Sequence, residues 1–306
     1  MSFVIFSLLF LAPGDPARNL VGTRAATPEL LEAIRAQHNL DEPFLVQFAF
    51  WVNGAVRLDF GTSIRTGSDV IQYITPFASL TFQLVGLSLL FSIVFGIFLG
   101  IVAAKSKGKF RDSLINVMAL VGTSAPAFAV GLLLLYLLAF KLGLFPVFGS
   151  GTLAHLILPA ITLSFGICAS IIKITRQSML KEINTDYTTF MRARSLSPKK
   201  ITLAQLKNAS PTVLTSSGLV LANLFGGTIL VETVFSLPGL GGLLASSVTF
   251  RDVPVVQFIA LMMATIICLT SALVDIAVYL LNPNAVKTTD LNLDMHNANN
   301  VGRASK

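Results

Sequence analysis

The chain has 306 residues, of which 54% are hydrophobic and only 12% are charged, and its formal net charge is +7. This composition and a mean hydropathy of +0.76 exclude an ordinary soluble domain. The long apolar runs do not alternate with polar residues, which excludes a β-barrel and leaves transmembrane helices. Two cysteines inside apolar runs and three scattered histidines exclude a disulfide framework and a Cys/His metal site. We predict an all-α integral membrane protein.

The chain begins with an apolar run over residues 1–12. At eleven residues the apolar part is about half of the ~20 that a membrane-crossing helix needs. No basic residue precedes Arg18, and the following Pro-Gly-Asp-Pro is a poor cleavage site, so a signal peptide is disfavoured. We predict a partial first transmembrane helix whose cytoplasmic half is missing, because translation begins upstream of Met1 or because the chain was trimmed.

Residues 13–78 are predicted to lie outside the membrane. Thr27, Pro28 and Glu29 supply a threonine cap, a proline at the first helical position and an acid in the first turn, which predicts a short helix over residues 27–34. Asp59-Phe60-Gly61 spells the metal-binding triplet of protein kinases. Since the chain has no HRD and no Gly-rich loop, we interpret this triplet as a structural turn.

Five longer apolar segments form a membrane core within residues 79–283. They cover about residues 80–104, 114–140, 156–172, 213–231 and 255–281. Together with the first helix they predict six spans. Fifteen of the 22 Lys and Arg residues lie in the loops after residues 104 and 172 and in the tail, so these parts and both termini are predicted to be cytoplasmic. The asparagine-rich tail, residues 284–306, is predicted to be disordered.

Several residues inside these segments carry separate predictions. Gly96 and Gly100 form a GxxxG pattern that favours a close helix contact within the fold over a dimer seam. Pro126 should interrupt the third helix, and helix breaks line the pathways of many transporters. Ser124, Pro126 and Phe128 are therefore candidates for pathway lining, with simple packing as an equal alternative.

Two acids, Glu232 and Asp275, lie nearest to the spans. A buried acid in a membrane is a functional candidate by default. We interpret both as structural or subunit-interface residues. Asp275 would be the critical residue if the protein were instead a proton-coupled carrier.

The long cytoplasmic loop, residues 184–211, reads NTDYTTFMRARSLSPKKITLAQLKNASP. It mixes apolar and basic residues that a bare tether would not need, and Ser197-Pro198 predicts a break between two short helices. We expect a helix-turn-helix at the membrane surface that docks a soluble partner, in preference to a simple interfacial amphipathic loop. The chain contains no G-x-x-x-x-G-K-[ST], so it does not hold ATP by a Walker loop.

This loop resembles the EAA-type coupling region of binding-protein-dependent ABC importer permeases, in the branch that takes peptides, nickel and glutathione. The matching residues are Asp186, Tyr187, Arg192, Ala193, Arg194, Leu196, Ser197, Lys207, Asn208, Ala209 and Pro211. Two departures stand out: Ser195 takes the place of the family's glycine, and the interval to Pro211 is about two residues shorter. Similar family motifs occur in order at residues 13–17, 40–43, 59–63, 124–128, 142–146, 158–159, 231–241 and 251–252.

The resemblance implies a type I ABC importer permease fold in the bacterial inner membrane. It also implies a heterodimer with a second permease, two ATPases that bind ATP and Mg, and an external solute-binding protein; this chain itself would be neither an enzyme nor a holder of cofactor, metal or nucleic acid. The ATPase-coupling residues would be Asp186, Tyr187, Arg192, Ala193, Arg194, Ser195, Leu196, Asn208 and Pro211.

The resemblance implies transport by alternating access, with di- or oligopeptides as the expected substrate and glutathione or chelated nickel as alternatives. The rival hypotheses are a stand-alone proton-coupled secondary transporter and a scaffold without transport.

Overall fold

The computed structural model describes residues 2–11, 16–21, 27–37, 40–147 and 149–281. Residues 13–15 of the first family motif, the tail and the Asp275 side chain lie outside this description. The described helices are α1 Ser2–Leu11, α2 Pro16–Val21, α3 Pro28–Gln37, α4 Phe44–Val56, α5 Val70–Lys105, α6 Phe110–Ser124, α7 Ala127–Leu134, α8 Leu153–Ile183, α9 Asp186–Ala193, α10 Pro198–Val234, α11 Leu240–Thr249 and α12 Val253–Leu281. The described residues contain no β-strand, only an isolated bridge between Thr62 and Asp69. The all-α prediction is confirmed for this part of the chain.

Three of the described helices are long and apolar enough to cross a membrane, namely residues 70–105, 153–183 and 253–273. Helix α6 and the helical stretch 127–141 would make a fourth span if together they form one interrupted span. This stretch consists of α7 followed by a π-helical turn at Leu135–Lys141. These helices coincide with predicted apolar segments. The total of six spans stays a prediction.

The chain divides into two compact units. The first comprises Met1–Ser88, Pro126–Leu163 and Phe225–Ile267, and its largest described core cluster contains Val70, Ile74, Leu240, Leu243, Val255 and Ile259. The second comprises Leu89–Ala125, Ser164–Leu224 and Cys268–Lys306. Its clusters centre on Ala103, Ile115, Ala119, Ala169 and Ile172, and on Ala104, Met179 and Ala209.

Small residues bring helices α5 and α8 close together in the second unit. A Cβ added to Gly96 would lie 2.6 Å from the Ile171 side chain, and one added to Gly100 would lie 2.6 Å from Thr175. Since real Cβ atoms do not approach so closely, any larger residue would push the helices apart. The prediction of an internal helix contact at the GxxxG pattern is confirmed.

The short helix predicted after Thr27 is present as α3, and a second helix follows that was not predicted. The Leu30 backbone N–H donates to the Thr27 hydroxyl at 3.3 Å, as expected of a threonine cap. Helix α4 was not predicted, although Pro43 precedes an apolar run that could have signalled it. Aromatic rings at Phe44, Phe48 and Trp51 of α4 pack against Phe6 of α1.

Candidate coupling site

Helix α9 is a short, well-delimited helix between the two longer helices α8 and α10. Thr185 precedes it in an extended conformation, and the Thr189 N–H donates to the Thr185 carbonyl at 3.2 Å. Asp186 lies in the first turn and Arg192 in the last turn. Both charges have the sign that the helix dipole favours at that end. The local sequence therefore supports a helix of only eight residues.

A left-handed residue ends α9. Ser195 has φ +55°, the Leu196 N–H donates to the Met191 carbonyl at 3.2 Å, and the Ser195 N–H donates to the Arg192 carbonyl at 2.9 Å. These two bonds define a Schellman motif, whose left-handed position usually belongs to glycine. Ser195 therefore occupies the position at which the motif that this loop resembles carries glycine.

Hydrogen bonds tie α9 to its neighbours on both sides. At the end of α8, the Tyr187 hydroxyl donates to the Glu182 carboxylate at 2.7 Å, and the Thr188 hydroxyl donates to the Glu182 carbonyl at 2.8 Å. In α10, the Gln205 amide donates to the Thr188 hydroxyl at 3.3 Å. Thr188 is completely buried. Helix α9 is therefore fixed to both flanking helices, and it cannot move as a flexible tether would.

The environment of Tyr187 keeps its hydroxyl protonated. Burial raises the pKa of Tyr187, and the hydrogen bond to Glu182 raises it further, whereas hydrogen bonds with Asn208 and Thr188 act in the opposite direction. A neutral hydroxyl can donate to the Glu182 carboxylate, and a phenolate could not. Tyr187, a predicted coupling residue, is thus held by the same Glu182 that binds Thr188, whereas Asn208, another predicted coupling residue, is exposed on α10.

Further predicted coupling residues in α9 and just after it form an exposed surface together with Phe190. Phe190 is 62% exposed, and the Arg194 guanidinium lies 5.7 Å from the centre of its ring. Asp186, Arg192 and Ala193 are also exposed. A large apolar ring beside charges, outside the core, is typical of a protein interface.

Leu196 is half-buried and lines a groove of about 600 Å³ with Arg192. Lys105, the last residue of α5, and Lys107, which follows it, lie along the same groove. The predicted coupling residues thus border a basic groove as well as the exposed apolar surface.

The second half of the coupling segment, residues 186–211, differs from its prediction. Residues 198–211 are not a separate short helix, because α10 runs without interruption to Val234 and includes Pro211. Ile201, Gln205 and Ala209 are buried at intervals of four residues, whereas Lys199, Leu203 and Lys207 are exposed. This helical period continues from the Ser197-Pro198 start, and no residue before Pro211 interrupts it. The prediction of two short helices is wrong in its second half.

Pro126 interrupts the third apolar segment as predicted. Helix α6 ends at Ser124, Ala125 is extended with φ −77° and ψ 131°, and α7 begins after Pro126. Ser124, Pro126 and Phe128 are all exposed. Ser124 belongs to the second unit, and the other two belong to the first. Their assignment to a pathway stays a prediction.

Polar contacts join α6 to α8, and the sequence pattern did not reveal them. Arg176 donates to both Asp112 carboxylate oxygens, from Nε at 2.7 Å and from a terminal nitrogen at 2.8 Å. The Lys173 ammonium donates to the Thr123 hydroxyl at 2.8 Å. From the sequence, both cations indicate only which side of the membrane is cytoplasmic. Their helical spacing with Asp112 and Thr123 becomes informative only once α6 and α8 are known to pack together.

Glu232 has a structural role in the first unit. Its carboxylate accepts hydrogen bonds from the Thr81 hydroxyl at 2.6 Å and from the N–H groups of Gly241 at 2.8 Å and Gly242 at 3.3 Å. The Thr81 hydroxyl oxygen in turn accepts from the Leu240 N–H at 2.8 Å. Together these groups cap the start of α11, whose first N–H groups would otherwise lack partners. The structural interpretation of Glu232 agrees with this geometry.

Asp252 holds the loop that contains Asp59-Phe60-Gly61. Its buried carboxylate accepts hydrogen bonds from the Ser63 hydroxyl at 2.5 Å and from the Ile64 and Arg65 N–H groups at 3.1 and 3.4 Å. Asp59 accepts from the Gly61 N–H at 3.1 Å, and Gly61 has φ +74°. The kinase-like triplet is a structural turn, as predicted.

Comparison with known proteins identifies the family. Residues 96–287 match the family described as "Binding-protein-dependent transport system inner membrane component". Residues 1–72 match its companion, "Binding-prot-dependent transport system membrane comp, N-term". The first match covers well over half of the chain, including α9 and the whole coupling segment.

Individual relatives agree with this assignment. The chain is 36% identical over 288 residues to the Probable peptide ABC transporter permease protein y4tP of Sinorhizobium fredii, covering 91% of this chain and 92% of that protein. It is 36% identical over 284 residues to the Glutathione transport system permease protein GsiC of Escherichia coli (strain K12), with 92% of each covered. The MetNI methionine ABC transporter, solved in inward-facing conformations, shares the fold with a TM-score of 0.56 at 16% identity, over 70% of this chain and 99% of that chain. The chain therefore belongs to the binding-protein-dependent ABC importer permeases of the peptide and glutathione type, and it is a multi-pass protein of the inner membrane.

Proposed function

We propose that this permease carries di- or oligopeptides inward by alternating access, as one of two homologous permease subunits with six spans and cytoplasmic termini. Two cytoplasmic ATPases, which bind ATP and Mg, dock on the coupling segment, residues 186–211. An external solute-binding protein delivers the substrate. The chain itself holds no cofactor.

The single observation that carries this proposal is the fixation of α9. Tyr187 and Thr188 bind Glu182 in α8, and Gln205 of α10 binds Thr188. Any displacement that an ATPase imposes on α9 is therefore transmitted to two helices that lead into the membrane. The exposed Phe190, Ala193 and Arg194 provide the surface on which such a force can act.

A copurification experiment tests the docking assignment. Arg194→Glu and Ala193→Asp should abolish recovery of the ATPases with this chain, because a new negative charge would lie on the docking surface. Arg111→Glu makes the same charge change at an exposed residue of the other predicted cytoplasmic loop, and it should leave recovery unchanged. All three variants should reach the membrane at the wild-type level. Normal ATPase recovery with Arg194→Glu and Ala193→Asp would refute the assignment.

The peptide substrate rests on the relatives, one named for peptides and one for glutathione, which is itself a tripeptide. Nickel in a chelate is the remaining alternative of this branch. Uptake of labelled trialanine, glutathione and nickel into proteoliposomes that contain the complete complex would separate these substrates.

The rival proton-coupled carrier makes a different prediction. In that case Asp275→Asn would abolish uptake, and uptake would follow a pH gradient without ATP. We expect ATP-dependent uptake to persist in Asp275→Asn.

A further inference from the structure

The end of α5 and the loop after it carry two cations that the proposed function does not use. Lys105 is the last residue of α5, Lys107 follows it, and both are exposed. Together with Arg192 of α9 they line the basic groove. All residues that line this groove belong to the second unit. The tertiary structure thus brings cations from two separate loops to one surface.

The walls of the basic groove are held in place by packing. Ala104, Leu180 and Ile183 line the groove. Ala104 is also buried in a cluster with Met179 and Ala209, and Leu180 and Ile183 pack against that cluster. These residues come from α5, α8 and α10. Packing between three helices therefore fixes the shape of the groove.

Hydrogen bonds also fix the loop that contains Lys107. This loop, residues 106–109, is only four residues long, and Gly108 in it has φ +75°, which glycine adopts readily. The Gly108 N–H donates to the Asp112 carboxylate at 3.0 Å. The same carboxylate accepts both hydrogen bonds from Arg176 of α8. The backbone next to Lys107 is therefore tied to α8, the helix that leads into α9.

The charges along the groove all have the same sign. No Asp or Glu is among the residues that line it. Within the part of the chain that the structure describes, Lys105, Lys107 and Arg192 form no ion pair. The Asp112 and Glu182 carboxylates already accept hydrogen bonds from other side chains. The groove therefore presents three cations that the described residues do not neutralise.

A partner that docks on α9 would also cover the mouth of the groove. Arg192 lines the groove and directly precedes Ala193 and Arg194 of the proposed docking surface. Removing cations from water without an anion opposite them costs free energy. Carboxylates on the partner would offset this cost and would fix the partner's orientation. Leu196 and Ile201 add apolar area to the same groove.

We infer that the basic groove accepts an acidic segment of the ATPase, in which more than one carboxylate lies beside an apolar side chain. This inference rests on the proposed function and adds a second contact to it, outside the coupling segment. Lys105 and Lys107 are docking residues in this contact. Asp112 is a positioning residue, because it acts by holding the loop.

Carbodiimide cross-linking of the purified complete complex tests the contact directly. The reagent joins a lysine amine to a carboxylate that touches it, by an amide bond whose lost water the carbodiimide takes up. Mass spectrometry should find Lys105 or Lys107 joined to an Asp or Glu of the ATPase. Lys105→Arg with Lys107→Arg keeps both charges, so it should keep ATPase recovery and lose these cross-links. Absence of such cross-links in the wild-type complex would overturn the inference.

Binding of the purified ATPase to the permease pair in nanodiscs tests the role of charge. Lys105→Glu with Lys107→Glu should raise the Kd about tenfold at low salt and should weaken its dependence on salt concentration. Lys109→Glu with Arg111→Glu is the matched control, since both residues are exposed in the same region but do not line the groove. This control should bind like the wild type. Equal losses in the two double variants would overturn the groove as the contact.

The lipid composition of the nanodiscs separates the ATPase from an anionic lipid headgroup as the occupant. We expect the same loss with phosphatidylcholine alone and with added phosphatidylglycerol. A loss confined to phosphatidylglycerol would overturn the inference and assign the groove to a lipid. If the wild-type permease binds no ATPase, the proposed function and this inference both fail. If Arg194→Glu abolishes binding while Lys105→Glu with Lys107→Glu binds normally, only this inference fails.

Discussion

The turns before and after helix α10 share one local design and differ in what surrounds them. In the coupling segment, Ser195 takes the left-handed position and Leu196 follows; after α10, Ser236 and Leu237 occupy the same positions. The bonds from Leu237 N–H to the Glu232 carbonyl, 2.8 Å, and from Ser236 N–H to the Thr233 carbonyl, 3.2 Å, repeat the Schellman pattern. A proline follows within three residues in both turns. The same way of ending a helix thus occurs twice.

The surroundings of the two turns are opposite. In the second turn Leu237, Leu240 and the Glu232 carboxylate are all buried, and the donors of α11 find partners within the protein. In the coupling segment Phe190 and Arg194 are exposed. We conclude that the motif at residues 231–241 maintains the fold, whereas the motif at residues 186–196 provides a surface. The following substitutions test this division in order of expected effect on stability.

Gly239→Ala should have the largest effect. A Cβ at this position would overlap the Glu232 carboxyl carbon, so the substitution must displace the buried cap of α11. We expect a loss of about 3 kcal/mol in the free energy of unfolding, as for an overpacked core site. Thermal unfolding in detergent and the yield in membranes measure it. Gly242→Ala is the matched control, because nothing lies within 4 Å of its added Cβ; equal losses in both variants would contradict the cap.

Asp252→Ala should come next, at about 2 kcal/mol. It removes the acceptor for the Ser63 hydroxyl and for the Ile64 and Arg65 N–H groups, which would remain buried or half-buried without partners. Asp252→Asn retains one acceptor oxygen and should lose less. Thermal unfolding measures both variants, and a neutral Asp252→Ala would show that water replaces the carboxylate freely.

Tyr187→Phe should cost about 1 kcal/mol, the usual weight of one hydrogen bond, while also weakening the stimulation of ATP hydrolysis by substrate. The pKa of Tyr187 is raised from its ordinary value of 10.0. Its contribution to stability is therefore fully present below that pH, and it is lost as the pH rises through the raised pKa of the folded state. The difference in Tm between wild type and Tyr187→Phe should stay constant from about pH 7 to pH 9 and narrow above about pH 10. A difference that grows with pH would contradict the donor role.

Ser195→Gly and Ser236→Gly should have the smallest effects, and both should stabilise the protein by about 0.5–1 kcal/mol, because glycine adopts a positive φ without a Cβ clash. Chemical unfolding measures the gain. Neither variant should lose ATPase recovery. A loss with Ser195→Gly alone would show that the serine hydroxyl itself contributes to docking.

The predictions of helix caps, helix breaks and turns were correct where they depended on neighbouring residues. The cap at Thr27, the helix break at Pro126 and the turn at Asp59-Phe60-Gly61 depend on residues within a few positions of each other. Their geometry follows from backbone preferences that neighbouring residues dictate. The predicted start at Ser197-Pro198 was correct for the same reason, but the length of α10 was not. A proline inside a helix is read as a break, and Pro211 is tolerated here within a continuous helix.

The sequence predicted some features of the candidate sites and missed others. The resemblance predicted partner-facing residues in α9, but it did not predict that Tyr187 and Gln205 fix this helix to α8 and α10. Glu232 pairs with Thr81 across 151 sequence positions, and Asp252 pairs with Ser63 across 189. No pattern within a window of the sequence contains both partners. The sequence likewise did not show that Lys173 of α8 contacts Thr123 of α6.

The sequence alone therefore determined the class of this protein. Its apolar runs require membrane helices and its basic residues predict an orientation, because hydrophobicity and charge act locally along the chain. The resemblance of its ordered motifs to a known family indicated an importer permease. Only the tertiary structure decided which polar residues cap or join helices and which stay exposed. Those roles depend on whether a partner group lies within about 3 Å, and helix packing sets that distance.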